Sequence, residues 1–228
     1  MALVWRFGGC ILLIGSVAAA RRLITGPVPG YIGLGAYGGN VTSGATMSFT
    51  ADIESDMTLW FMCVGTNSNV DNSLTVGGNA ASLLDYSGLL ASTMHGALYS
   101  ISGVTLPVGD DLLVERSGTQ AYGLMHGWIT RGMSLQALDW KGPSGTGTTQ
   151  AVHTFADVYP GDFIGVASRG YGTTSGDYGW NSVVEGGTFW AAGYSDIFAS
   201  YDSSYSAYNN VTPAQPRKIS LGIHWTPT

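Results

Sequence analysis

The sequence predicts an all-β protein, an antiparallel β-sandwich that is jelly-roll-like and carries an extended apolar N-terminal arm. Three observations carry that expectation. Of 228 residues, 45% are hydrophobic and only 11% charged, against about 25% charged in an ordinary soluble domain. Gly, Ser, Thr, Asn and Tyr take the place of the missing charge, and these residues belong to strands and tight turns. Short apolar or alternating runs parted by turn residues recur along the chain, and no stretch shows a convincing helical period.

Residues 1–25 read MALVWRFGGCILLIGSVAAARRLIT. One arginine, an apolar run and the small residues Ala18, Ala19 and Ala20 have the outline of a secretory leader. Arg21 and Arg22, directly after them, make an unusual start for a mature chain. The uncharged run over 7–20 is shorter than the ~20 residues of a bilayer-spanning helix. The segment is therefore expected to be a retained arm with no membrane span. An exposed apolar arm is sticky, so the domain's own core, a sister subunit or a neighbouring protein in an assembly should cover it. The assembly is preferred, with Trp5, Phe7, Ile11, Leu12, Leu13 and Ile14 as the docking residues. Pro27, Pro29 and the glycines of 26–44 punctuate a linker. The expected division is arm and linker over 1–44 and a β-sandwich domain over 45–228.

Within that domain, strands are predicted over 45–51, 57–65, 73–76, 80–84, 95–101, 111–116, 121–130, 134–140, 150–155, 162–168 and 218–225. The last alternates cleanly. Ile219, Leu221, Ile223 and Trp225 face one way, and Lys218, Ser220, Gly222 and His224 the other. Three strands follow acidic turns: Glu54-Ser55-Asp56, Gly109-Asp110-Asp111 and Gly161-Asp162. Gly and Asp make tight turns, and the carboxylate accepts backbone N–H groups. Without DxDxDG-type spacing, turn chemistry is preferred to calcium.

The succession TLWFMCVGTNS, SLTVGGNAASLL, HGALYSIS and LPVGDDLLVERSG, with the later PGDFIGVASRG and KISLGIHWT, resembles a β-sandwich domain recurrent in phage virion proteins and bacterial surface proteins. The resemblance covers roughly 51–226 and leaves out the first 45 residues. It implies a virion or extracytoplasmic setting and brings no catalytic residues with it.

The residues themselves offer little chemistry. A net charge of −6 with two lysines, Lys141 and Lys218, repels phosphate and speaks against nucleic acid. Cys10 and Cys63 could form one pair, but both sit in apolar stretches, and two buried thiols are the preferred reading. His95, His126, His153 and His224 each stand alone on a strand, with no HxH or HExxH spacing, so they are read as packed or surface residues and no metal is expected. There is no GxSxG nucleophile motif. Glu115, Asp139, Asp157 and Glu185 do not form the strand array of carboxylates that sandwich glycosidases display. The expectation is a protein that is not an enzyme and carries no cofactor.

Residues 170–210 have a binding flavour, with aromatics set among Ser, Gly, Asp and Asn. Such a mix supplies rigid amphipathic faces beside adaptable hydrogen-bonding groups. Tyr171, Tyr178, Trp180, Tyr201, Tyr205 and Tyr208 are the candidates for a glycan or partner surface. The leading expectation is a virion structural protein of a tailed phage, a capsid decoration or head- or tail-fibre component. Its partners would be other virion proteins and copies of itself, with a surface glycan as a further partner. The alternative is a secreted or cell-surface bacterial carbohydrate-binding or adhesive sandwich.

Overall fold

The computed structural model describes residues 6–7, 10–11, 30–36, 40–41, 45–48, 53–65, 73–91, 94–106, 111–116, 120–121, 124–142, 150–170, 184–187, 190–195, 197–210 and 218–228. Among them are twenty strands and no helix. In chain order these are β1 (Arg6–Phe7), β2 (Cys10–Ile11), β3 (Gly30–Ala36), β4 (Asn40–Val41), β5 (Ala45–Ser48), β6 (Met57–Gly65), β7 (Leu74–Val76), β8 (Asn79–Ala80), β9 (Ser82–Ala91) and β10 (Met94–Ser102). They continue with β11 (Asp111–Arg116), β12 (Gln120–Ala121), β13 (Leu124–Arg131), β14 (Met133–Lys141), β15 (Gln150–Val158), β16 (Phe163–Gly170), β17 (Val184–Gly187), β18 (Trp190–Tyr194), β19 (Asp202–Asn210) and β20 (Lys218–Pro227).

The antiparallel sandwich is the observed class, built in four layers where a sandwich has two. The sheets run β5-β11-β7-β8, then β3-β13-β6-β10-β9, then β14-β20-β16-β18-β17, then the pair β15-β19. Two short pairs, β1-β2 and β12-β4, complete the described strands.

The period of two in each strand explains the stacking. Strand β6 reads MTLWFMCVG, an almost unbroken apolar run, as suits a strand covered on both faces. Leu59, Phe61 and Cys63 enter one core with Leu74, Val76, Tyr99, Leu112 and Val114. Trp60, Met62 and Val64 point the opposite way, into a second core with Trp128, Phe163, Leu221, Ile223 and Trp225. The reverse face of the third sheet sends Ile164 and Val166 into a third core with Phe155, Val158 and Ala207. Both five-stranded sheets are thus buried on two sides.

The two halves repeat one winding. Each pairs its first strand with its last, β3 with β13 and β14 with β20, and sets the last beside β6 or β16. Each small sheet then pairs an early strand with a late one, β5 with β11 and β15 with β19. That is jelly-roll-like connectivity.

Aromatic rings fill the central interface. Trp225 stacks on Phe163 with ring centroids 5.0 Å apart, and meets Trp60 and Trp128 edge-on at 5.7 and 5.8 Å. Each such ring buries on the order of 150–250 Å². Two glycines make the room. A Cβ on Gly165 would lie 2.8 Å from the Trp128 and Trp225 rings, and one on Gly96 would lie 2.3 Å from the Trp140 ring. Trp140 then donates its indole N–H to Asp85 at 2.9 Å, a hydrogen bond between the second and third sheets.

Most of the predicted strands are found. Among the observed ones, β17, β18 and β19 were not predicted, nor were the short β1, β2 and β4, nor β3. Its GYIGLGA sequence reads as linker because glycine weakens an isolated strand. Pairing along β13, Gly30 opposite Ile129 through Ala36 opposite Leu124, supplies the ladder that propensity lacks.

Candidate binding surface

The acidic turns hold neighbouring groups. Arg131 at the end of β13 pairs with Glu54, and its Nε lies 3.0 Å from Asp56 Oδ2. Asp162 Oδ2 accepts the Tyr159 backbone N–H at 2.8 Å and the His224 Nε2 proton at 2.7 Å. Both acidic side groups therefore tie a turn to a distant strand. Among the described residues, no group of three or more His, Cys, Asp or Glu is placed to hold a metal ion.

Between the third and fourth layers runs a polar chain whose members are those of a nucleophilic triad. His153 Nδ1 lies 3.2 Å from Asp139 Oδ2, and Nε2 lies 2.7 Å from Ser220 Oγ. Ser220 Oγ is in turn 2.6 Å from Ser168 Oγ and donates to the Ala167 carbonyl at 3.2 Å. Lys141 Nζ pairs with Asp139 Oδ1 at 2.9 Å. Burial opposes ionisation of Asp139, but hydrogen bonds from His153 and Lys141 outweigh it and hold its carboxyl below the usual range. Burial likewise pushes His153 below its ordinary value, against the pull of Asp139.

The residue types match acyl-transfer chemistry, but the setting does not. His153, Ser168 and Ser220 have no exposed surface. The imidazole lies against Gly222, where a Cβ would sit 2.7 Å from the ring. A substrate carbonyl has no room beside Ser220. Asp139, with His224, Thr154, Phe155 and Ala156, lines a cavity of about 300 Å³ that takes in neither His153 nor Ser220. From His153 to Ser168 it is a buried network whose members satisfy one another, with Asp139 and Lys141 at its partly exposed end.

The exposed chemistry lies at one end of the outermost layer. Tyr159 follows β15 and Tyr201 precedes β19. Their ring centroids are 5.2 Å apart and the planes are tilted by 44°. Both rings are about half exposed, 54% and 51%. The Tyr201 hydroxyl donates to Asp157 Oδ1 at 2.6 Å, and the hydrogen bond to that carboxylate raises the phenol's pKa. Asp157 has φ +52°, the only non-glycine residue at positive φ among those described, a conformation that costs on the order of 1 kcal/mol.

Backbone bonds fix the platform from below. Gly161 N–H donates to the Phe198 carbonyl at 2.8 Å, and Phe198 N–H to the Asp162 carbonyl at 3.0 Å. The Phe198 ring meets Tyr205 edge-on at 4.7 Å and packs against the third core. From the rings an exposed strip runs down the outer face of β15 and β19, where Ala156 lies opposite Ser204 and Thr154 opposite Ser206. The two hydroxyls of the second pair are 3.2 Å apart.

The predicted site residues fall in different places. Tyr201 stands in the exposed pair. Tyr205 turns partly inward and supports Phe198 instead of facing solvent. Tyr208 lies in β19 opposite Val152. Tyr171, Tyr178 and Trp180 lie outside the described residues, as do Trp5, Leu12, Leu13 and Ile14. Phe7 and Ile11 belong to the paired β1 and β2. Tyr159 was missed by the sequence reading. Its signal was an aromatic directly before Pro160-Gly161, where a turn carries the ring away from the core. No family model matches the chain, and no curated protein matches it in sequence.

Proposed function

We propose that this chain is a structural protein of a tailed-phage particle, a capsid decoration or head- or tail-fibre component that acts by packing against neighbours. The observation that carries the reading is the contrast between buried and exposed groups. His153, Ser168 and Ser220 are sealed between layers, with Asp139 at the partly exposed end of their chain, while the surface displays Leu83, Leu84, Leu113, Tyr159 and Tyr201, each more than 40% exposed. Three successive sheet interfaces, each filled with apolar side chains, suit a rigid body that bears load. The resemblance of the 51–226 segment to virion sandwiches and the low charge support the same reading, and the apolar arm would serve as the tether.

The test is proteomic. Purified particles from the native source should contain the chain at many copies per particle, with peptides from residues 1–20 present in the intact mass. Recovery only as a soluble chain beginning near Arg21, outside any particle, would overturn the proposal in favour of a secreted adhesive sandwich.

A further inference from the structure

We infer that Tyr159, Tyr201 and Asp157 form a binding site for a neutral carbohydrate, with the outer face of β15 and β19 as the track along which the chain of sugars lies. The inference does not depend on whether the protein resides in a particle.

Four features converge. First, two large rings are held half exposed and inclined to one another, with centroids 5.2 Å apart. At that separation the rings touch each other, and their half-exposed surfaces together make an aromatic platform on which the C–H face of a pyranose ring can stack. Second, the rings are pre-organised. Tyr201 is anchored through its hydroxyl to Asp157, and the backbone that carries Tyr159 is held by the buried Asp162. Tyr201 has little side-chain freedom left to lose on binding. Third, the Tyr201 bond engages Asp157 through Oδ1. A carboxylate has lone pairs to spare beyond one such bond, and they suit the vicinal hydroxyls of a sugar stacked on the rings. Fourth, the adjoining strip is built from small and hydroxylated residues, Ala156, Ser204, Thr154 and Ser206, all exposed. It is open to solvent and offers hydroxyl donors and acceptors to a linear ligand.

Charge selects among carbohydrates. Asp157 and Asp202 both lie at this end, and the Tyr201 pKa is raised by Asp157 first and by Asp202 more weakly. A sulfated, phosphorylated or carboxylated sugar meets like charge here, whereas a neutral one does not. The cavity lined by Asp139 and Thr154 shares Ala156 with the strip, so a ligand of several units can pass from the rings toward it.

The experiment is calorimetric titration of the full chain with maltohexaose, cellohexaose, mannohexaose and N-acetylchitohexaose, with a heparin hexasaccharide as the anionic probe. Saturable binding of at least one neutral probe, and none of heparin, is expected. Tyr159→Ala and Tyr201→Ala should each weaken that binding by about tenfold, the scale of one lost stacking contact, with unchanged melting temperatures because both rings are exposed. Tyr201→Phe keeps the ring and should retain more affinity than Tyr201→Ala. Tyr201→Leu keeps apolar bulk without a flat face and should behave like Ala, which separates stacking from simple burial. The inference is overturned if no neutral hexasaccharide binds, if heparin binds better, or if binding survives both alanine substitutions.

Discussion

All four histidines are buried, three of them completely and His224 to within 2%. They read from the sequence as isolated strand residues, and the burial of His126 and His153 makes the protein acid-sensitive. His126 meets Trp128 edge-on at 4.6 Å, and burial lowers its pKa from 6.5 to about 3. His153 is lowered too, by burial first. For a group depressed in the folded state, the unfolded chain takes up its proton first as pH falls. For His126 stability is therefore full above about 6.5 and is lost downward toward about 3, at about 1.4 kcal/mol per pH unit; His153 acts in the same direction. From His126 alone, unfolding free energy should be about 2 kcal/mol lower at pH 5 than at pH 7. Denaturant titrations at the two pH values measure it, and His126→Phe should remove that share of the slope.

At the scale of the element, the β15-β19 pair is an outer layer held by few contacts. Phe155, Val158 and Ala207 supply its apolar grip, and His153 supplies a polar one by reaching Ser220 and Asp139 on the sheet beneath. Ser220→Ala leaves His153 Nε2 and Ser168 Oγ short of a partner in a site closed to water. The cost should be about 1–3 kcal/mol, read as a shift in the denaturant midpoint. Because Ser220 is sealed, a fluorophosphonate probe should leave the folded protein unlabelled by intact mass. Labelling at Ser220 would instead show that the layer opens and that the triad is reachable.

For the whole molecule, the decisive feature is the central core shared by the two five-stranded sheets. Trp60 and Trp128 come from one, Phe163 and Trp225 from the other. Neither sheet can expose that face without uncovering several large rings, so the layers should unfold together. Scanning calorimetry should show one endotherm. Trp128→Ala, expected to cost about 3–5 kcal/mol, should lower it as a unit. A split into two transitions would mean that the halves are stable apart.

The sequence determined the class of fold and the position of most strands, because a period of two and Gly/Asp turns are local properties. Strand β6 is legible as doubly buried from its apolar run, whereas the strict alternation of β20 announces a strand with one buried face. What covers each face was not local. The Ser220, Gly222 and His224 side of β20 has the composition of a solvent face, yet β15 and β19 lie over it. Strand β19, DSSYSAYNN, was hidden for the same reason. Its tyrosines and serines have surface composition, and only pairing with β15 makes them a strand. Tyr201 was legible as an exposed aromatic. Its partners Tyr159 and Asp157, more than 40 positions earlier, were not, since only the antiparallel pairing of β15 with β19 brings the two turns together. Local chemistry chose the strands; long-range sheet stacking decided which polar groups are sealed and which rings meet at the surface.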